Sequence, residues 1–242
     1  MEINGKTVLI TGATDGLGKI LALNLAKMGC NLIIHGRNIE KIDSLITQIK
    51  ETNPKINVET ILCNLNKPET VAEAFDKVKS LDILINNAGV WAEGNTADAS
   101  PEKVIELSNV NLLSYMLTTR VLLPVLQRSE FSQILNVSSI AGVEIPQGYS
   151  HSIYSAYSAT KFGVQAFSEA LAKEFGNTNL RVMGYYPGGM ATNLFKKAGI
   201  DYKDGEPWMF DPQESVDAIL FMLTRNPKVN VKRMDLINHL EQ

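Results

Sequence analysis

Apolar positions along this chain fall into two kinds of stretch. Short runs recur at 7–11 (TVLIT), 31–35 (NLIIH), 57–62 (NVETIL), 81–86 (LDILIN), 133–138 (QILNVS) and 180–186 (LRVMGYY). Several are rich in Val, Ile and Leu with no polar alternation, the pattern of strands buried on both faces of a parallel sheet. Longer stretches of helical periodicity separate them: GKILALNLAKMG, NIEKIDSLITQIKE, PETVAEAFDKVKS with Pro68 placed to open it, then 101–128 and 152–175. Strand–helix alternation predicts an α/β chain with right-handed crossovers. We expect a doubly wound, Rossmann-type parallel sheet of about seven strands, helices on both faces. With no linker or repeat, residues 1–242 read as one domain. The segment 191–213 departs from the pattern, mixing Gly, Pro and charge with Tyr202, Trp208, Met209 and Phe210. It is expected to be a loop or lid on the substrate side.

Composition narrows the function classes. Hydrophobic residues make up 45% of the 242 and the net charge is −3, with no basic block to serve as a nucleic-acid footprint. No apolar run approaches the roughly 20 residues of a membrane span, and the N-terminus carries no apolar signal region. A cytoplasmic protein is expected. Cys30 and Cys63 lie in or beside apolar runs without metal-ligand spacing, so they read as buried thiols and no metal site is expected.

Candidate chemistry begins directly after the first strand, where LITGATDGLGK places Gly12, Gly16 and Gly18 at the start of a helix. Glycines let the backbone approach a pyrophosphate, and the helix N-terminus offers free N–H groups and a positive dipole end. The spacing is G-x3-G-x-G. A dinucleotide site needs a ribose reader about 20 residues further on, at the end of the second strand. That place holds Gly36 and Arg37 and no carboxylate, which favours a 2′-phosphate and hence NADP(H), with NAD(H) as the alternative. Asp15, inside the turn, pulls mildly the other way by adding negative charge.

The stretch YSHSIYSAYSATKFG holds three tyrosines and one lysine. A phenol titrates near 10 and exchanges protons poorly at neutral pH unless a close cation favours its anion. On a helix, residues four apart share a face. Tyr157 has Lys161 at that spacing, whereas Tyr154 has Ser158 and Tyr149 has Ile153. Tyr157 is therefore the expected proton donor, with Lys161 expected to make it more acidic. A serine at the end of the fifth strand, Ser138 or Ser139, can hold a substrate oxygen. Asn111 and Asn109 sit in the long helix after strand four, where a local kink can free a backbone carbonyl.

Taken together, TGATDGLG (11–18), NNAG (86–89), Tyr157-x3-Lys161 and PGGMAT (187–192) resemble the short-chain dehydrogenase/reductase family in its single-domain form. The resemblance runs from about residue 5 to 192 with the motifs in order. It implies that Tyr157 is the catalytic acid/base, that Lys161 also binds the nicotinamide ribose, that Ser139 orients the substrate oxygen, and that Asn111 completes the set by supporting a water relay. Cofactor contacts implied by the match are Gly12, Thr14, Asp15, Gly16, Leu17 and Gly18 in the turn. Arg37, Asn64 and Leu65 follow, then Asn87, Ala88 and Gly89 after strand four. Pro187, Gly188, Met190 and Thr192 lie on the nicotinamide side. The family also implies a homodimer or homotetramer through the helices of 101–128 and 152–175.

The match weakens in two places. Asn64 stands where relatives carry an acidic residue toward adenine, and the C-terminal KVNVKRMDLINHLEQ lacks a Gly-rich ending, leaving the last strand in question. The expected function is an NADP(H)-dependent oxidoreductase interconverting an alcohol and a ketone or aldehyde. Trp91, Tyr149, Phe195, Tyr202 and Trp208 are expected around a partly apolar pocket, with Tyr149 and His151 on an enlarged loop before the helix. A nucleotide sensor of the same fold would lack turnover, and the intact Ser–Tyr–Lys set argues against it. A sugar-nucleotide epimerase shares the Tyr-x3-Lys pair but needs an added substrate domain.

Overall fold

The six apolar runs become six parallel strands, and a seventh joins at one edge. The computed structural model describes residues 1–92, 94–145, 155–200, 202 and 206–241. The strands are β1 (Thr7–Ile10), β2 (Asn31–Gly36), β3 (Val58–Leu62), β4 (Ile83–Asn86), β5 (Ser132–Val137), β6 (Leu180–Pro187) and β7 (Arg233–Leu236). Their order is β3-β2-β1-β4-β5-β6-β7, and every pairing is parallel. The question over the last strand is thereby answered: β7 pairs Gly184–Pro187 of β6 with Arg233–Leu236. Its short, half-exposed RMDL carries little apolar signal, which is why it was hard to see.

Side chains alternate across the sheet. Val8 and Ile10 enter the layer formed with α1 (Gly16–Lys27), α2 (Ile39–Thr52) and α8 (Pro212–Leu223). Leu9 enters the opposite layer with α3 (Pro68–Phe75), α5 (Ser114–Leu126) and α6 (Ser155–Glu174). With both faces covered, β4, β5 and β6 are buried at every position. Among the described residues no helix is long and apolar enough to cross a membrane. Cys30 and Cys63 are free and buried, and burial pushes the Cys30 thiol up to about 12.

Two expected helices have different limits. The 68–80 helix ends at Phe75, and the chain then turns to bury Val78 and Leu81. The 101–128 stretch is α4 (Pro101–Ser108), a π-turn at Asn109–Leu113, and α5. The Ser114 N–H reaches back five residues to the Asn109 carbonyl, while its hydroxyl donates to the Val110 carbonyl at 2.7 Å. That local widening falls on the Asn-containing stretch and interrupts the α-helical pattern there. The strand order reverses between β1 and β4, so the connections leaving these strands diverge and open a crevice at their C-terminal ends.

Candidate active site

The crevice is one end of a cavity of about 910 Å³ that continues along the C-terminal ends of the strands. Its first wall is the glycine turn. Gly12 (φ 64°) adopts a backbone conformation that disfavours side chains, and a Cβ there would lie 2.9 Å from the Ala88 Cα. A Cβ at Gly18 would lie 2.4 Å from the Gly12 carbonyl oxygen. The turn is thus pressed against β4's exit and against its own helix, and it offers backbone where a side chain would intrude. Such a side-chain-free turn at a helix N-terminus fits a pyrophosphate. Thr14, Asp15, Gly16 and Leu17 line the same wall, and Thr192 crosses over it, 3.6 Å from where a Gly16 Cβ would stand.

Two residues that sequence reasoning did not single out hold this turn. The Gly12 N–H donates to His35 Nδ1 at 3.0 Å, which leaves Nε2 to donate to the Cys63 carbonyl at 3.1 Å. Burial pulls the imidazole down to about 4, so it stays neutral and keeps its acceptor nitrogen. The signal was a lone histidine closing an otherwise apolar run. Thr11 Oγ1 accepts from the Asn87 and Ala88 N–H groups, and Asn87 Nδ2 donates back to the Thr11 and Gly12 carbonyls. The NNAG side chain therefore ties the two loops of the crevice together.

Arg37 stands exposed on the cavity at the end of β2, and Asn64 and Leu65 line it at the end of β3. Asn64 Oδ1 accepts the Asn66 N–H at 3.1 Å, an Asx turn that fixes the loop. Asp15 caps α1 through the Gly16 N–H and pairs with Lys41 at 3.0 Å and Lys197 at 2.8 Å. Burial works to raise its pKa, but the lysine contacts outweigh it and hold the carboxyl well below the usual range. The negative charge expected inside the turn is thus masked by two cations.

The second wall carries the chemistry. The buried residues of α6 are Tyr157, Ser158, Thr160, Lys161, Val164, Ser168 and Leu171, and the i, i+3/i+4 series from Tyr157 through Lys161, Val164 and Ser168 to Leu171 forms one helical face. Tyr157 is 5% exposed and Lys161 4%. A Cβ on Gly142 would sit 2.5 Å from the Lys161 carbonyl, so the turn after β5 lies directly on this helix. The serine ambiguity resolves in space: Ser138 donates to the Lys161 carbonyl at 3.0 Å, whereas Ser139 hydrogen-bonds the Tyr157 phenol. Lys161 Nζ donates to the Val137 carbonyl at 3.3 Å and lies 5.7 Å from the centre of the Tyr157 ring. Gly89 abuts both Lys161 and Asn111, with a Cβ there falling 3.8 Å from Nζ and 3.6 Å from Asn111 Oδ1.

Asn111, fully buried in the π-turn, clamps Val90: its Oδ1 accepts the Val90 N–H at 2.8 Å and its Nδ2 donates to the Val90 carbonyl at 2.9 Å. Its Nδ2 also reaches Thr160 Oγ1 on α6. Asn109 points elsewhere, to Asn66. The structure therefore brings Ser139, Tyr157 and Lys161 together on the cavity wall, with Asn111 buried behind it, across Gly89 from Lys161. One expectation needs correction. Burial pushes the Tyr157 phenol up to about 12, against the hydrogen bond from Ser139, and pulls Lys161 down to about 7. Desolvation favours the neutral phenol and brings the lysine's titration into the neutral range.

The third wall is formed by described residues of the 191–213 segment. Its base is closed by a bridge between Met190 and Phe210, with the Ala191 N–H donating to the Phe210 carbonyl and the Phe210 N–H to Gly189. Pro187, Gly188 and Met190 line the cavity below it. α7 (Leu194–Lys197) carries Phe195 inward. Tyr149, Tyr154 and His151 lie outside the described residues.

Comparison with known proteins places the chain in a family. A family model described as short chain dehydrogenase matches residues 6–203, and the chain belongs to that family. Among curated relatives, an NADP-dependent 3-hydroxy acid dehydrogenase of Schizosaccharomyces pombe is 30% identical, covering 94% of this chain and 90% of the relative. A short-chain dehydrogenase from Sphingobium yanoikuyae in complex with NADPH superposes with a TM-score of 0.83 at 27% identity, covering 95% of this chain and 87% of that one. An alcohol dehydrogenase of Thermococcus sibiricus complexed with 5-hydroxy-NADP has the same fold, at TM-score 0.87, 23% identity and 99% coverage of both chains.

Proposed function

We propose that this protein is an NADP(H)-dependent oxidoreductase that interconverts an alcohol and a ketone or aldehyde, with Tyr157 as acid/base. The observation that carries this reading is the meeting of half-buried Ser139 with buried Tyr157 and Lys161 in the same cavity as the glycine turn. A nicotinamide cofactor held along that turn supplies the hydride, or takes it up in reverse. The protein's own residues handle the oxygen. Ser139 Oγ hydrogen-bonds the carbonyl oxygen and fixes its position. The Tyr157 hydroxyl gives that oxygen its proton as the carbon is reduced. Lys161 sits beside the phenol and binds the ribose, and the Asn111 carbonyl in the π-turn holds water for the relay that restores the proton from solvent.

The cofactor preference draws support from Arg37, exposed where a ribose reader belongs, and from the NADP named for the fission-yeast and Sphingobium relatives. The direction draws support from burial. A phenol held neutral is the donor form, which suits reduction near neutral pH, whereas oxidation needs the phenolate that burial disfavours. Alcohol oxidation should therefore climb with pH through the neutral range, which a pH–rate profile checks. Replacing Tyr157 with Phe should lower carbonyl reduction by about 100- to 10,000-fold and leave NADPH binding intact. A Tyr157→Phe enzyme with undiminished turnover would reject the assignment.

A further inference from the structure

The substrate end of the cavity is walled by aromatic rings in an unusual arrangement. Phe195, Tyr202 and Trp208 form a closed triangle with centroids 5.1, 5.6 and 5.3 Å apart. Their planes stand at 90°, 84° and 84° to one another. Three mutually perpendicular rings make the corner of a box. Trp91 joins that corner to the reaction point, with its ring 5.0 Å from Phe195 and 4.5 Å from the phenol ring of Tyr157. All five rings line the one cavity.

Edge-to-face pairing stabilises such a corner beyond its buried area. A flat apolar group meets ring faces and edges on several sides there, and an ionised group would be desolvated against them. Of the described lysines lining this region, Lys103 pairs with Glu106 at 2.6 Å, Lys197 with Asp15 at 2.8 Å, and Lys161 donates to the Val137 carbonyl at 3.3 Å. Glu144 also lines the cavity, and its carboxylate disfavours a second one beside it.

We infer that the substrate is an uncharged ketone bearing an aromatic or alicyclic ring next to the carbonyl, seated in the Phe195–Tyr202–Trp208 corner against Trp91, and not a carboxylate-bearing oxo acid. This rests on the oxidoreductase reading above and specifies its substrate. The balance is that of carbonyl reduction. The carbon gains a C–H bond by hydride from the reduced nicotinamide dinucleotide, and the C=O π pair moves to oxygen. The Tyr157 proton closes the O–H bond, giving a secondary alcohol and the oxidised dinucleotide.

The test is calorimetric titration of the full chain, in the presence of NADP+, with two probes: α-tetralone, a ring ketone, and acetoacetate, a 3-oxo acid. α-Tetralone should bind at least about tenfold tighter. Trp208→Ala and Tyr202→Ala should each remove most of that preference while leaving NADPH affinity unchanged. Equal or tighter binding of acetoacetate overturns the inference. So does a preference that survives both substitutions in proteins that still bind NADPH. Should either variant fail to bind NADPH, the wild-type comparison decides. Turnover separates the two readings. A ring ketone that binds in the corner but is never reduced, with no other carbonyl reduced either, rejects the oxidoreductase assignment and leaves the corner standing. Preferred reduction of acetoacetate rejects the corner and leaves the assignment standing.

Discussion

The two ends of the cavity are built by different means. At the glycine turn the wall is backbone, compressed until single Cβ atoms do not fit, and braced by His35, Thr11 and Asn87. At the other end the wall is side chains, large rings on described residues of the 191–213 segment, which the Met190–Phe210 bridge joins at its base. Backbone walls recognise what every member of a class must bind, because a main-chain turn cannot vary without breaking. Side-chain walls can change ring by ring. On the function proposed above, the cofactor belongs at one end and substrate choice at the other, and the division is open to attack from both sides.

The largest effect is expected at Gly18. A Cβ there would approach the Gly12 carbonyl oxygen at 2.4 Å and Asn87 Nδ2 at 2.6 Å, and neither atom is the loose end of a flexible chain. Gly18→Ala should cost about 1–3 kcal/mol of stability and weaken NADPH binding by about 100-fold or more. Thermal melting and fluorescence titration measure the two effects. Gly199→Ala is the control. Its φ of +81° makes alanine strained, but nothing lies within 4 Å, so stability should fall slightly and NADPH affinity should hold. A Gly18→Ala protein that binds NADPH normally would mean the turn is not the fixed wall described.

A smaller effect sharpens the cofactor end. Arg37 is exposed at the close of β2, free of the compression that makes Gly18 unforgiving. Hydrogen bonds to charged groups contribute about 1.5–3 kcal/mol. Arg37→Ala should therefore weaken NADPH by about ten- to a hundredfold and leave NADH nearly unchanged. The ratio of kcat/KM for the two cofactors reads it directly. Equal losses for both would remove Arg37 from 2′-phosphate recognition.

What the sequence disclosed follows the same division. Strands, the glycine turn and the i, i+4 pair Tyr157–Lys161 are local, and periodicity or spacing reveals them. The π-turn was half-visible: two asparagines in a long apolar stretch suggested a bend, but which one faces the site depends on packing against Val90 and Thr160. The brace from His35 was hidden, because it joins residues 23 apart in sequence through a side chain that periodicity assigns to core. The phenol's acidity was misjudged for a related reason. Spacing reports that a cation is near, whereas desolvation depends on everything packed around the pair, including Trp91 against the Tyr157 ring. β7 was obscured because an edge strand needs little apolar content.

The smallest expected effect tests whether the two ends are independent. Lys197, the last residue of α7, reaches from the 191–213 segment to Asp15 in the glycine turn at 2.8 Å, and Asn193 Nδ2 touches the same carboxylate at 3.4 Å. Asp15 is held ionised far below its usual 3.8, so its part of the contact contributes stability above that pH and is lost only as pH falls through the depressed value. The pair is therefore present throughout the neutral range. Its lysine side chain is 47% exposed, and an exposed ion pair contributes about 0–1 kcal/mol that salt screens. Lys197→Ala should raise the KM for a carbonyl substrate and the Kd for NADPH by less than about fivefold at low salt, and by less still at high salt. A loss beyond about tenfold in both constants, persisting in salt, would make that segment and the turn one mechanical unit, and the assignment of separate tasks to the two ends would fail.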